Sequence, residues 1–304
     1  MDTRQLTYFL GVVTHGGFGR AAAQLHVSQP ALSQSVASLE RDLGVPLFHR
    51  VPSGVVLTDA GEVLVPLARQ VLRDLDVARV ATRSVGEELT GRIDLALMPS
   101  QGVEPFTTLM RRLTRRHPGL SVHGHASFVR DDAIALVRSG TCELGLVGAL
   151  AAPYPSSIEV HTLGRQEMVL IAHPDAGLPD DHALRPAELD GRRLVVSPPG
   201  SVMRQMADRL MSASTMTVVV EAEHRSAILP LVLAGVGVAV LSSAWAPLAR
   251  RSGAAVLRLA DTMHLQVDVI HRPGTLTPAA AAFLEIARAE DLPADISVLD
   301  DRHS

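Results

Sequence analysis

Apolar side chains recur at helical spacing from the start of the chain: Leu6, Phe9, Leu10 and Val13 share one face, and Gly16-Gly17 then stops the pattern. A second short helix is predicted around 18–25. After the tight connection His26-Val27, Ser28 is placed to cap a third helix running to about Asp42, with Pro30 in its first turn, where no backbone donor is lost. In this helix Leu32, Val36, Leu39 and Leu43 fall on one face and leave Gln29, Ser33, Gln34 and Ala37 on another. The inner face packs, and the outer face is free to read something. Two helices joined by a short turn, the second capped and polar at its outer edge, form a helix-turn-helix. Segments 46–50 and 54–57 read as two short strands around a turn, which makes a wing.

A long helix is predicted over 59–88. Along it Leu64, Ala68, Val71, Leu75 and Ala78 alternate steps of four and three, as does the continuation through Thr82 and Val85. A lone helix with such a stripe needs a partner, and the same helix of a second chain is the simplest one. A homodimer is therefore expected, with Leu64, Val71, Leu75 and Ala78 at its seam.

After Thr90-Gly91 short apolar strands alternate with amphipathic helices: strands at 92–98, 120–126 and 143–148, and helices at 106–116 and 131–139. That is a parallel βαβαβ unit. A similar run begins at 167–171 and continues through strands at 193–197, 216–221 and 236–241 with helices at 201–211 and 226–233. A last strand (265–270) and helix (278–289) return to the first lobe, followed by an acidic, polar tail. The expected division is a winged helix-turn-helix domain at 1–58, a linker helix at 59–90 and a ligand domain at 91–304. Within the last, lobe 1 takes 91–162 and 268–304 and lobe 2 takes 163–267. The fold class is α/β with an N-terminal winged helix-turn-helix.

Composition narrows the picture. Of the 304 residues 47% are hydrophobic and 20% charged, an ordered globular profile with no need of disulfides. The 28 basic residues, all Arg, against 32 acidic ones give 28 − 32 = −4, which excludes a polycationic coat, so any DNA contact is local. A single cysteine, Cys142, excludes an intramolecular disulfide and a cysteine-rich metal site; it is read as a small hydrophobe rather than a sensor thiol. The first residues do not read as a signal peptide, and the most apolar stretch, 227–245, is broken by Pro230, Gly235 and Gly237. The cytoplasm is the expected compartment. The hydrolase, metalloprotease and phosphate-loop signatures are missing, and the glycine pair Gly235-Val-Gly237 lacks a third glycine. His123 and His125 share a face of one strand, but no third metal ligand is evident nearby, so they read as a plain strand pair or pocket wall.

The segments FGRAAAQLHVSQPALSQSVASLE (18–40), LGVPLFHR (43–50) and LTDAGE (57–62) closely resemble the LysR-type transcriptional regulators. The likeness continues through the long helix and both lobes, including LVRSG (136–140) and VLAGVGVAVL (232–241). The resemblance implies a regulator, not an enzyme. It implies a dimerising linker helix and an effector domain of two Rossmann-like lobes built like a periplasmic binding protein, usually assembled as a homotetramer. It also implies operator DNA, a small-molecule effector and RNA polymerase as partners, with no cofactor. One feature departs from the pattern. Members commonly carry basic residues in the wing, whereas here Arg50 is followed by Val51-Pro52-Ser53-Gly54-Val55, and residues 1–60 balance Arg4, Arg20, Arg41 and Arg50 against Asp2, Glu40, Asp42 and Asp59.

The expected DNA-binding residues are Ser28, Gln29, Pro30, Ser33, Gln34 and Arg50, the glutamines toward base edges and Arg50 toward phosphate. In open α/β lobes a ligand sits at the carboxyl ends of the strands, which points to Ser100, Gln101, Phe128, Arg130, Gly148, Ser197, Pro199, Ser201 and His224. Aligned on 136–140, Arg130 looks into the cleft between the lobes, where its planar charge suits an organic anion. Its alternative is an outward pair with Asp131 or Asp132. Two other functions stay open at this point: an enzyme or solute receptor on the same bilobed fold, and an architectural DNA-binding protein without a ligand.

Overall fold

The computed structural model describes residues 1–51, 54–83 and 89–289, without the side chains of residues 50, 76 and 79–83. Helix α1 (Thr3–His15) opens on a capping box: the Asp2 carboxylate accepts from the Gln5 amide at 2.8 Å, and the Asp2 amide donates to Gln5 Oε1 at 2.7 Å. Helix α2 (Phe18–Gln24) and α3 (Gln29–Leu43) are joined through His26, which turns the chain at φ 54°. Ser28 caps α3 by accepting from the Ala31 amide at 3.4 Å.

The apolar faces meet as expected except at Leu43, which at the last turn of α3 is 38% exposed. Leu32, Val36 and Leu39 are buried against Leu6, Phe9 and Val12 of α1. Strands β1 (Phe48–Val51) and β2 (Gly54–Leu57) pair antiparallel as the wing. Glu40 of α3 fixes the wing's root by accepting the amides of Leu47 and Phe48 at 2.7 and 3.3 Å. Helix α4 (Asp59–Arg83) is capped by Thr58, and Gly61 lets its first turn press on the wing, since a Cβ there would stand 2.3 Å from the Leu47 carbonyl oxygen. The continuation of this helix expected over 84–88 lies outside the described residues.

One part of the α4 seam needs correcting. Leu64 packs, with buried Val65 and Ala68, on the core of its own winged domain. Among the described residues of α4, the large apolar side chains left in solvent are Val63, Leu67 and Val71, at 64, 57 and 40% exposure. Leu75 is half-buried and Ala78 exposed.

The larger half consists of two α/β lobes sharing one sheet, ordered β4-β3-β5-β11-β6-β9-β7-β8, with β10 also paired to β6. In the first lobe β3 (Gly91–Leu97), β4 (Leu120–Ala126) and β5 (Leu144–Ala149) run parallel, with α5 (Pro99–Val103), α6 (Phe106–Arg116) and α7 (Arg130–Arg138) between them. In the second, β7 (Arg193–Val196), β8 (Thr217–Glu221) and β9 (Val238–Ser242) are parallel around α8 (Val202–Ser212) and α9 (Ile228–Leu233). The remaining elements are α10 (Ala246–Arg251), β10 (Ala255–Arg258), β11 (His264–His271) and α11 (Pro278–Arg288), and Phe283 of α11 fills the first lobe's core beside Ile93, Leu95 and Val269.

The 14-residue β6 (Glu159–Ala172) joins the lobes: Glu159–Glu167 pair with β11, and Met168–Ile171 pair with β9. Only its second half is an apolar run buried on both sides, so the sequence predicts a strand there alone. The first half, Glu159 to Gln166, is polar and partly exposed, held by pairing with β11.

Helix α4 reaches the first lobe through arginines. Arg69 Nη1 donates to the Ser139 carbonyl at 2.9 Å and to Thr141 Oγ1 at 2.7 Å, and Arg73 Nη1 donates to the Gly140 carbonyl at 3.0 Å. Arg272 donates to the Val137 carbonyl at 2.5 Å and to Gln70 of α4 at 3.2 Å. The motif at 136–140 is thus the C-terminus of α7, where unpaired carbonyls and the negative end of the helix dipole meet three cations. Crowding shows in Arg73, which burial and the neighbouring Arg272 push down to about 10. Among the described residues no helix is long and apolar enough to cross a membrane.

Candidate functional site

Two surfaces carry the chemistry expected from the sequence. On α3, Gln29, Pro30 and Gln34 are exposed and Ser33 is half-buried, all on the side away from Leu32 and Val36. Ser28 is exposed but its hydroxyl is engaged as the helix cap. Gln29 and Gln34 therefore present free-standing amides, each able to donate and accept at once, on a protruding helix. The backbone of residue 50 pairs with Val55 in the wing, and its side chain lies outside the described residues. Of the domain's other arginines, exposed Arg20 folds back onto the carbonyls of His15 and Gly16 at the end of α1, and Arg41 Nε bonds the Ala37 carbonyl.

The second surface is a cleft of about 270 Å³ between the lobes, at the carboxyl ends of their parallel strands. Of the expected residues, Ser100, Gln101, Phe128, Arg130, Gly148 and Ser201 line it. Ser100 and Gln101 are buried at the start of α5, directly after β3. The Ser100 hydroxyl accepts from Trp245 Nε1 at 3.3 Å and lies 3.9 Å from Met203 Sδ across the cleft. Gln101 donates to Gln166 Oε1 of β6 at 3.0 Å, and Gln166 in turn donates to the Glu104 carbonyl at 2.9 Å. Gly148 makes room for that amide, for a Cβ there would stand 2.0 Å from Gln101 Nε2.

Arg130 takes an intermediate position. Its Nη1 donates to the Ala152 carbonyl at 3.1 Å, and its guanidinium lies 5.1 Å from the Tyr154 ring centroid. It also stands 3.9 Å from the exposed Asp131 carboxylate. The Tyr154 hydroxyl donates to Asp268 at 2.9 Å, which anchors this wall to β11.

Three expected residues do not line the cleft. Ser197 is 2% exposed with its hydroxyl unpartnered inside the second lobe, and Pro199 and His224 are exposed. The turn at 224–227 carries the correction: it points His224 to solvent and its neighbour Arg225 into the cleft. Arg225 is 9% exposed, and among the described residues it has no hydrogen-bond or carboxylate partner. Burial alone pushes its guanidinium down to about 10. The sequence holds one signal for it, a lone Arg at the mouth of an otherwise apolar run, 226–234.

Comparison with known proteins identifies the two domain families. Residues 3–62 match the family model described as the bacterial regulatory helix-turn-helix protein, lysR family, and residues 86–291 match the LysR substrate binding domain. The DNA-binding transcriptional dual regulator OxyR of Escherichia coli K12 is 28% identical over 293 residues, covering 95% of this chain and 94% of that protein. A full-length OxyR variant from Pseudomonas aeruginosa is 23% identical and superposes with a TM-score of 0.73 over 96% of both chains, a likeness of fold. Full-length CbnR, solved in complex with its target DNA, is 25% identical with a TM-score of 0.62, covering 95% of this chain and 99% of that one.

Proposed function

The chain belongs to the LysR family of transcriptional regulators, and on that premise we propose that it binds operator DNA through α3 as a homodimer or homotetramer and responds to a small organic anion held between its lobes. The observation that carries the anion is Arg225. A guanidinium this buried, with no partner among the described residues, has lost much of its hydration without compensation, and a carboxylate or phosphate in the cleft would restore the balance. Arg130 supplies a second donor fork on the opposite wall, and Ser100, Gln101 and Ser201 supply neutral hydrogen bonds to the rest of the molecule. Cys142 plays no part in sensing: it is fully buried, and burial together with the Asp94 charge pushes its thiol up to about 12.

The proposed division of labour is by segment. Residues 1–58 read DNA, with Gln29, Ser33 and Gln34 toward base edges and Arg50 toward phosphate. Residues 59–90 join two copies through the Val63, Leu67 and Val71 stripe, extended by Leu75 and Ala78. Residues 91–304 hold the effector, and RNA polymerase is the further partner at the promoter in the cytoplasm. The matched family models are those of a DNA-binding regulator and its substrate-binding domain, which supports a regulator rather than an enzyme.

The test is a thermal-shift and calorimetric screen of the full-length protein against small carboxylates, phosphates, amines and neutral metabolites, paired with sequencing of the genomic DNA it retains. Anions alone should raise the melting temperature, and they should change the affinity for the retained DNA. A cationic or neutral effector would overturn the reading.

A further inference from the structure

Outside the cleft, two groups of histidine and carboxylate among the described residues converge closely enough to share an ion: Asp94 with His123 and His125, and Glu159 with His161 and His271. We propose that the first is a binding site for one divalent transition-metal cation of the Zn²⁺, Ni²⁺ or Co²⁺ class.

The site is made by the register of two strands. His123 and His125 are alternate residues of β4, the edge strand, so both rings project from the same face, with centroids 4.7 Å apart. The ligand missing from the local sequence is supplied by β3, which sets Asp94 directly opposite His123 in parallel register. Its Oδ1 stands 2.9 Å from His125 Nε2, and one ligand atom from each of the three residues falls within 4.8 Å of the others. Ligands bound at roughly 2.0–2.2 Å from one ion lie a little over 3 Å apart when tetrahedral, so small side-chain rotations close the set. The backbones that carry them are fixed by the β3–β4 ladder.

Ligand chemistry selects the metal class. Two imidazoles and one carboxylate suit a borderline divalent ion, whereas Ca²⁺ and Mg²⁺ call for more oxygens than this group offers. Three protein ligands leave a coordination position for water. The side chains of Asp94 and His125 are about a quarter exposed and His123 is exposed, which gives an ion its entry path. Arg92 pairs with the other carboxylate oxygen, Oδ2, at 3.1 Å and so orients Asp94 while leaving Oδ1 to the ion.

The second group fails where the first succeeds. Arg288 Nη2 lies 3.0 and 2.9 Å from the two ring nitrogens of His161, placing a fixed positive charge against the ligand atoms themselves.

The location gives the ion something to act on. Asp94 and His125 stand on the wall of a cavity of about 940 Å³ between the first lobe and the helices α1 and α4, which Arg69 and Arg73 also line. A bound cation would add positive charge beside the arginines that fasten α4 to α7. This site is independent of the anion cleft, and either can fail without the other.

Tag-free, chelator-treated full-length protein titrated with ZnCl₂ by calorimetry, and with CoCl₂ by visible absorption, tests the site. One ion per chain should bind, with cobalt bands of a low-coordinate nitrogen and oxygen site. Affinity should fall about 10-fold or more in both His123→Ala and His125→Ala, on the scale at which even outer-shell changes weaken metal sites. His161→Ala should bind as the parent does. Because His123 is an exposed edge-strand residue, His123→Ala retains the fold, to be checked by its melting curve. No saturable binding, binding that both β4 substitutions leave intact, or binding abolished by His161→Ala would each overturn the proposal.

Discussion

Arg225 and Arg130 face the same cleft but differ in what they already hold. Arg130 has a carbonyl, an aromatic face and an exposed carboxylate as partners, while Arg225 has burial alone. An arriving anion therefore gains more from Arg225. Arg225→Ala should weaken the anionic effector by about 1.5–3 kcal/mol, the range for a hydrogen bond to a charged group, without lowering the melting temperature of the ligand-free protein. Arg130→Ala should cost less. Calorimetry on both variants checks the order, and the reverse order would move the anion to the α7 wall. On the DNA side, Gln29→Ala should cost about 1–3 kcal/mol on the specific operator and almost nothing on random DNA. Equal losses on both in a gel-shift titration would reduce Gln29 to a solvated residue. Strand and helix periodicity led to Ser100, Gln101, Arg130 and Gly148, because ligands gather where parallel strands end. It missed Arg225 by one position because a single short turn has no period from which inward and outward can be read.

At the scale of elements, α4 shows what an apolar pattern does and does not specify. The helix carries two neighbouring stripes: Leu64, Ala68 and Leu72 face their own winged domain, and Val63, Leu67 and Val71 face outward. Spacing alone makes α4 amphipathic, but the docking angle of α1 and the wing decides which stripe remains for a partner. Leu67→Glu should leave the melting temperature of the folded chain nearly unchanged while shifting sedimentation toward monomer, because it places a carboxylate in the proposed seam. Leu64→Ala should do the opposite, costing stability through a cavity in the winged domain. Unchanged dimers of Leu67→Glu would place the seam elsewhere. The same lesson applies to β6, whose polar first half is a strand only because β11 pairs with it. It applies equally to Asp94, whose nearness to His125 depends on β3–β4 register and on no local motif.

For the whole molecule the question is how a cleft in the sheet domain reaches a reading helix in another. One short element spans the gap: α7 begins at Arg130 on the cleft wall and ends in the carbonyls of Val137, Ser139 and Gly140, held by Arg69 and Arg73 of α4 and by Arg272. Nine residues at about 1.5 Å each make a rod of roughly 13 Å, too short to bend appreciably. On the proposed reading, an anion drawing the Arg130 end inward would tilt the other end against α4, whose first turns are packed on the wing. Coupling of this kind is reciprocal: if effector alters operator affinity by some factor, operator alters effector affinity by the same factor. The triple variant Arg69→Ala, Arg73→Ala and Arg272→Ala removes all three arginines of the clamp and leaves both binding surfaces untouched. Effector affinity measured without DNA should stay within about 0.5 kcal/mol of the parent, as for changes distant from a site. The factor by which effector and operator influence each other should fall toward one in both directions. Retention of the full factor in the triple variant would mean that the signal passes through some contact other than these arginines.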